Sequence, residues 1–346
     1  MGKTRSVPTL NDVAAMAGVS TATVSRCLNS PDQVVERTRI RVMAAVESLG
    51  YTPNFAARVM AAKRSFTIGA IIPTMDNAIF ARGLQAFQDE LRQNGYTLLV
   101  SSSAYKPEIE KEQIRALVAR GADGLLLIGH EREDQIYEYL ERHQVPALVA
   151  WSYLSDARQP SVGFSNRNAM FDLTQNVIDA GHKRIAMISG MTVGNDRAQR
   201  RVKGVRDALL ANGIEPDGMR LIETNYGIDS GAYAFRELMS HTPRPTAVLC
   251  GNDVLAVGAL REARLMGLSV PDQISITGFD DIELAEIASP GLTTVHVPHR
   301  EMGRRAAQEL IAMVEGRSKG ASTCINTHVV SRQSLAKPPK DDSPET

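Results

Sequence analysis

Five side chains between Thr21 and Asn29 have the types and spacing to read a nucleic-acid duplex. In TATVSRCLN, Val24 and Leu28 stand four residues apart and turn inward as one apolar helix face. That leaves Thr21, Ala22, Ser25, Arg26 and Asn29 outside. All are small or hydrogen-bonding except Arg26, whose guanidinium is long enough to grip guanine O6 and N7 together. Thr21, Ala22 and Arg26 are therefore expected to read bases. Thr9, Ser20, Thr23, Ser25 and Asn29 are expected to hold phosphate, which fixes register without reading sequence.

Such a helix needs a rigid mount, and the flanking residues supply one. Thr9 caps a preceding helix and Asp12 lies three residues on, the spacing of a capping box. Val13, Ala14 and Ala17 give that helix an apolar face. Gly18 takes the positive φ that ends it, and Ser20 caps the reading helix. A third helix is expected over Glu36–Leu49, stopped by Gly50, with Ile40, Met43 and Val46 repeating every third residue. Arg37, Arg39 and Arg41 near its start suit phosphate contacts or a solvated basic face equally. Beyond Thr52-Pro53-Asn54, Phe55–Ala62 is rich in helix formers. A helix that short is marginal alone in water, and a plain linker is the alternative.

Charge supports a polyanionic partner only when the chain is divided. The total is neutral, with 39 Lys and Arg against 39 Asp and Glu. Residues 1–64 carry nine Lys and Arg against four Asp and Glu, a surplus of five positive charges that the remainder cancels. A basic head on an acidic body favours phosphate at one end and repels it elsewhere. Cys27, Cys250 and Cys324 are isolated, and His296 and His299 flank Val297-Pro298, which suits an extended segment. No disulfide framework, metal or cofactor is called for. The polar N-terminus lacks an apolar signal core, MGKTRS is read as a chance match to an acylation pattern, and no apolar run approaches the roughly 20 residues that span a bilayer. The cytoplasm is expected.

From Ser65 onward apolar strands alternate with helices: Thr67–Ile72, Thr97–Val100, Gly124–Ile128, Ala147–Trp151, Ile185–Ile188, Ala247–Leu249 and Ile274–Thr277. Continuous apolar strands separated by helices mean parallel sheets covered on both faces, and this length suits two doubly wound subdomains. Ligands of such sheets bind outside the carboxyl ends of the strands. The polar and aromatic residues following those ends are Asn77 and Phe80, Trp151, Arg201 (read as opening a helix in RRVKGV), Asn252 and Asp253, and Asp280 and Asp281. Carboxylates, amides and a guanidinium suit sugar hydroxyls or a polar ring, and Phe80 or Trp151 could stack on a flat face. Asp253 and Asp281 could instead cap helices, the fitting role for Asp253. Trp151 could be core, and Arg201 could pair with Asp280.

The helix pair, written A-x-x-A-G-V-S-x-x-T-V-S-x-x-L-N from Ala14 to Asn29, resembles the helix-turn-helix of the LacI/GalR family of bacterial transcription regulators. The likeness continues through YTPNFAARVMAAK (Tyr51 to Lys63) to GFDD (Gly278 to Asp281), almost the whole chain. It implies an α/β protein: an all-α helix-turn-helix head (1–51) and a hinge helix (52–64) joined to a periplasmic-binding-protein-like (type I) core (65–332). The N-subdomain would hold about 65–163 plus 293–324, and the C-subdomain about 164–292 plus 325–332. The chain would cross between them near Val162–Ser165, Asp281–Thr293 and Thr323–Val329. In this family the hinge folds on the operator and pushes a side chain into the minor groove. Met60, with Ala57, occupies that place here, where leucine is usual. Effector contacts map onto Arg201, Asn252 and Asp280. The resemblance further implies a homodimer on a pseudopalindromic operator, most often as a repressor, switched by a sugar or sugar acid, with a nucleobase as the alternative. An enzyme is disfavoured by the lack of a G-x-G-x-x-G after a strand, a P-loop or a G-x-S-x-G elbow. A transport binding protein would carry no such head, and an architectural DNA binder would ignore small molecules. Residues 333–346 read as a disordered tail without heptads, which favours a dimer over a tetramer.

Overall fold

The first element forms around Thr9 and Asp12. In a computed structural model of the chain, Thr9 Oγ1 accepts from the Asp12 amide and the Asp12 carboxylate accepts from the Thr9 amide, closing the capping box of helix α1 (Leu10–Ala17). Residues 7–29, 31–52, 64–76 and 78–339 are described in this structure. Gly18 ends α1 at φ 63°, and helix α2 (Thr21–Asn29) follows at once, with Ser20 Oγ accepting from the Thr23 amide. Helix α3 (Glu36–Leu49) stops at Gly50 in the left-handed conformation. Val13, Ala14, Ala17, Val24, Cys27, Val42, Ala45 and Tyr51 form the core of this unit, with Leu28 partly buried against it. The period-three stripe expected on α3 is corrected: Ile40 and Met43 are exposed, and Val42 and Ala45 face inward. A helix turns once in 3.6 residues, so a strict three-residue repeat drifts off the buried face.

The chain divides into two compact units, Met1–Ser65 and Phe66–Thr346. The second holds two parallel sheets. Strands β1 (Thr67–Ile72), β2 (Thr97–Ser102), β3 (Gly124–Ile128), β4 (Ala147–Ala150) and β5 (Ser161–Gly163), joined by the late strand β11 (Thr323–Cys324), lie in the order β11-β5-β4-β3-β1-β2. Strands β6 (Ile185–Gly190), β7 (Arg220–Thr224), β8 (Ala247–Cys250) and β9 (Ser275–Thr277) lie in the order β7-β6-β8-β9. Every pairing within both sheets is parallel. Strand β7 was not anticipated, because at the sheet edge its residues RLIET are half exposed and lack a continuous apolar run.

Helices α4 (Ala78–Gln93), α5 (Pro107–Ala119) and α6 (Asp134–Arg142) cover the first sheet; α7 (Asn166–Asp179), α8 (Asp196–Ala211), α9 (Ile228–Met239) and α10 (Asp253–Leu265) cover the second. The short helix α11 (Glu283–Ile287) leads to β10 (Thr294–His296), and α12 (His299–Val314) returns to pack on α4. Strand β10 pairs antiparallel with β12 (His328–Val330), so two of the connecting segments form one ribbon. Asp281 lies in that connection rather than capping α11: it accepts from His296 and Arg332, both at 2.8 Å, and Ile282 is the cap. Burial opposes its charge, but His296 and Arg332 hold its pKa below the usual carboxylate value.

The expectation of a disordered tail is corrected for residues 333–339. Ser334 is fully buried and bonds the Ile276 carbonyl, while the Ala336 carbonyl lies 2.8 Å from His182 Nε2. A polar, proline-rich stretch is ordered here because its backbone satisfies buried groups of the second sheet. Residues 340–346 lie outside the described residues. Among the described residues no helix is long and apolar enough to cross a membrane.

Candidate functional site

Two sets of side chains stand out, one in each unit. In the first unit Ala22 and Arg26 are exposed on α2, and Thr21, Thr23 and Ser25 are half-buried on it. Arg26 lies in the last turn of α2, and the helix around it carries no acidic side chain. Thr9 and Ser20 are exposed, but their hydroxyls already serve as caps, and Thr23 Oγ1 lies 2.9 Å from Ser20 Oγ. The Asn29 side chain, Met60 and Ala57 lie outside the described residues, and so does Asn77.

In the second unit the carboxyl ends of both sheets face one another across a cleft. Arg201 does not open a helix; it sits in the second turn of α8, which begins at Asp196. Its Nε donates to Asn166 Oδ1 at 2.8 Å, Nη1 donates to the Gly251 carbonyl, and the guanidinium lies 3.9 Å above the Phe279 ring centre. Nη2 is left facing Asp280 Oδ1 at 3.7 Å. That separation exceeds a hydrogen bond, and neither Asp280 oxygen has a hydrogen-bond partner although the residue is 0% exposed. Burial pushes the Asp280 pKa up to about 7, against the pull of Arg201.

Asn252, not Asp253, caps α10, accepting from the Leu255 amide at 2.9 Å. That leaves Asn252 Nδ2 buried without a partner. Asp253 turns inward instead and accepts from the Ile282 amide and Thr294 Oγ1, tying the second sheet to its crossover. Burial, reinforced by Asp280, raises its pKa well above the usual value.

Trp151 and Phe80 meet edge to face at 5.5 Å, both buried. The indole lies so close over Gly83 that a Cβ there would stand 2.4 Å from the ring, so only glycine admits it. Trp151 is thus neither plain core nor a free stacking surface, since its Nε1 donates to His299 Nδ1 at 3.2 Å. Phe80, Trp151 and Arg201 line a small cavity of about 20 Å³ together with Tyr105, Arg197 and Tyr226. Tyr105 and Tyr226 also line an adjoining cavity of about 310 Å³ with Asn195, Thr74 and Asp76. That is the lower range of small-molecule sites.

Tyr105, Trp151 and Asp280 all have positive φ (58°, 60° and 104°). Non-glycine residues held there cost about 1–3 kcal/mol each and cluster at binding sites. Tyr105, Tyr226, Asn195, Arg197 and His299 were not among the expected site residues. Tyr105 follows β2 as Trp151 follows β4, so the same strand-end rule would have found it.

A latch joins the subdomains beside these cavities. Asp196 at the start of α8 accepts from the His130 amide at 3.0 Å, Ser152 Oγ at 2.9 Å and Arg197 Nη1 at 2.9 Å, and Arg197 donates to the Ile128 carbonyl. Burial opposes the Asp196 charge, but Arg197 and the two N–H and O–H donors outweigh it and hold its pKa low. Gly129 makes room for this pair: its φ is 75°, and a Cβ would lie 2.0 Å from the Arg197 guanidinium.

Known proteins share both parts. The family profile described as "Bacterial regulatory proteins, lacI family" matches residues 9–54, and that of a "Periplasmic binding protein-like domain" matches 174–335. Catabolite control protein A of Priestia megaterium is 34% identical over 302 residues, 87% of this chain and 91% of that protein. The transcriptional repressor CytR of Escherichia coli K12 is 33% identical over 321 residues, 93% and 94% of the two chains. Among solved structures, the lac repressor dimer bound to operator and the anti-inducer ONPF superposes with a TM-score of 0.84 at 29% identity, covering 96% of this chain and all of that one. A helix-turn-helix head, a two-sheet core and likeness along nearly the full length converge, and the chain belongs to the LacI family of bacterial regulatory proteins.

Proposed function

We propose that this protein is a transcriptional repressor whose cleft binds a small effector through Arg201, Asn252 and Asp280, with Phe80 and Trp151 against its apolar face. It acts as a homodimer on a pseudopalindromic operator, in the cytoplasm where that DNA is. Thr21, Ala22 and Arg26 read bases in each half-site, and Thr9, Ser20, Thr23, Ser25 and Asn29 hold phosphate. Met60, with Ala57, enters the minor groove at the operator's centre. Asn77 completes the cleft.

The observation that carries the sensor half is Asp280. A carboxylate buried without a hydrogen-bond partner costs stability unless something supplies its donors, and Arg201, which faces it at 3.7 Å, lines a cavity with residues that follow the carboxyl ends of both sheets. Relatives supply the output half: CytR and PurR are named as repressors, and the lac repressor is seen on operator with an anti-inducer. The transcriptional regulator CelR is seen with cellobiose, which favours a sugar here. Effector and operator then act on one two-state equilibrium, with a coupling typically of 1–3 kcal/mol.

Selection of duplexes from a random library, followed by a thermal-shift screen of metabolites with and without the selected DNA, tests this. A two-fold symmetric site and a metabolite that stabilises the core while changing DNA affinity are expected. A ligand that binds the core and leaves DNA affinity unchanged would overturn the switch.

A further inference from the structure

Two histidines far apart in sequence meet on the ribbon formed by the connecting segments. His296 on β10 and His328 on β12 are direct partners in the antiparallel register, so their side chains leave the same face. Their ring centres lie 5.0 Å apart, with the planes tilted by 36°. His328 is exposed and the His296 side chain is 39% exposed, so solutes reach both. Behind them stands Asp281, whose Oδ2 lies 2.8 Å from His296 Nδ1. A carboxylate accepts, so Nδ1 donates, and the neutral ring keeps a lone pair on Nε2. Asp281 also accepts from Arg332, which matches the charge of that arginine.

We propose that His296 and His328 bind a Zn²⁺ ion, with Asp281 orienting His296 from behind. Imidazole nitrogens suit zinc, whereas magnesium and calcium take oxygen. Zinc holds such nitrogens at about 2.0–2.1 Å in tetrahedral geometry, which sets two ring centres about 5 Å apart. The pair in this chain has that spacing. A carboxylate on the far nitrogen of a ligating histidine fixes its tautomer and ring orientation and raises its basicity, and Asp281 is placed to do all three. Among the described residues no group of three or more His, Cys, Asp and Glu side chains is arranged to hold a metal. Water therefore fills the remaining positions, and the ion is exchangeable rather than a permanent part of the fold. Each strand lies in a different connecting segment, so a bound ion ties two of those segments together. The separation of the histidines in sequence, from 296 to 328, matches no short ligand spacing, and only the strand register reveals the pair.

Untagged full-length protein, stripped with EDTA and returned to chelator-free buffer, is titrated with ZnCl₂ by isothermal titration calorimetry, and its melting is followed with and without the ion. One Zn²⁺ per chain and a higher-melting core are expected, because an ion that binds only the folded ribbon stabilises it by mass action. Asp281→Asn is expected to weaken binding roughly 10-fold. His328→Phe is expected to weaken it further, since it removes a ligand while leaving a ring against His296. His328 is exposed, so without zinc this variant is expected to melt as the wild type does. His143→Phe, which removes an exposed histidine elsewhere, and Cys324→Ser, which removes an exposed thiol, are expected to bind as the wild type does. Binding that survives His328→Phe undiminished, or that falls equally in His143→Phe or Cys324→Ser, makes the ion adventitious and overturns the inference. A wild type that takes up no Zn²⁺ overturns it as well.

Discussion

The reading helix and the effector cleft solve opposite problems. On α2 the functional groups are exposed or half-buried, come from one run of nine residues, and are aimed by the helix itself. In the cleft they are buried, come from strand ends more than a hundred residues apart, and are aimed by one another: Trp151 by Gly83 and His299, Arg201 by Asn166 and Phe279. A surface that meets a polyanion in water tolerates unpaired polar groups, whereas a buried site does not. Substitutions in the head should therefore change DNA affinity with little change in core stability. Those in the cleft should move core stability and ligand response together.

The largest effect is expected at the latch. Asp196→Ala leaves Arg197, which is about 9% exposed, buried without its carboxylate and removes the acceptor of the His130 amide and Ser152. Breaking a buried pair from one side costs about 3–5 kcal/mol. Differential scanning calorimetry of the full-length protein should show the core transition falling by several degrees while the head transition stays in place. A full-length head transition that fell equally would break the contrast.

The pH profile sharpens it. Asp280 has a folded pKa near 7, above its ordinary value of 3.8, so the folded core binds more protons than the unfolded chain between those values. Stability contributed by the protonated group is present in acid and is lost as pH rises from about 4 to about 7. Asp253, raised in the same direction, adds to this slope. Asp196 and Asp281 have lowered values and contribute the other way, losing their stabilisation only as pH falls below about 4. His299, His130 and His182, lowered by burial, act the opposite way and favour the folded core as pH rises toward about 6.5. Comparing the wild type with Asp280→Asn therefore isolates the carboxyl: the melting temperature of the wild type should fall relative to that of Asp280→Asn as pH rises from about 4 to about 7. A profile unchanged by that substitution would remove Asp280 as its source.

Arg26→Ala tests the other side. It should cost about 1–3 kcal/mol of operator affinity and relax preference at one base of each half-site, without moving either melting transition. Equal loss on operator and random duplex would make Arg26 a phosphate contact.

The unequal legibility of the two regions has the same origin. Thr9 with Asp12, Gly18, Ser20 and Gly50 act on neighbours within four residues, so spacing alone places α1, α2 and α3. Strand identity was equally plain where β1, β3, β4 and β8 are buried along their whole length. The cleft was legible only where a residue directly followed such a strand. Tyr226 was hidden because edge strand β7 lacks an apolar run, and His299 because it follows the three-residue strand β10 and gains its role from Trp151, 148 residues away. Asn252 and Asp253 exchanged roles because both can cap a helix, and only the burial of Thr294 and Ile282 around Asp253 decides between them.

The smallest effect separates structure from recognition within the head. Thr9 caps α1 and is also expected to hold phosphate, and its hydroxyl is shared between those tasks. Thr9→Ala should lower head stability by about 1 kcal/mol, the usual cost of an N-cap. Thr9→Ser keeps the hydroxyl and should restore it. The bonds from Thr9 hold the Asp12 pKa below 3.8, so this contribution is present above about pH 4 and disappears as pH falls further. If Thr9 only caps, Thr9→Ala should weaken operator binding no more than its loss of head stability accounts for, and the salt dependence of binding should stay the same. If its hydroxyl also reaches phosphate, affinity should fall further, equally on operator and random duplex, because a neutral phosphate contact positions the head without reading a base and releases no counterion.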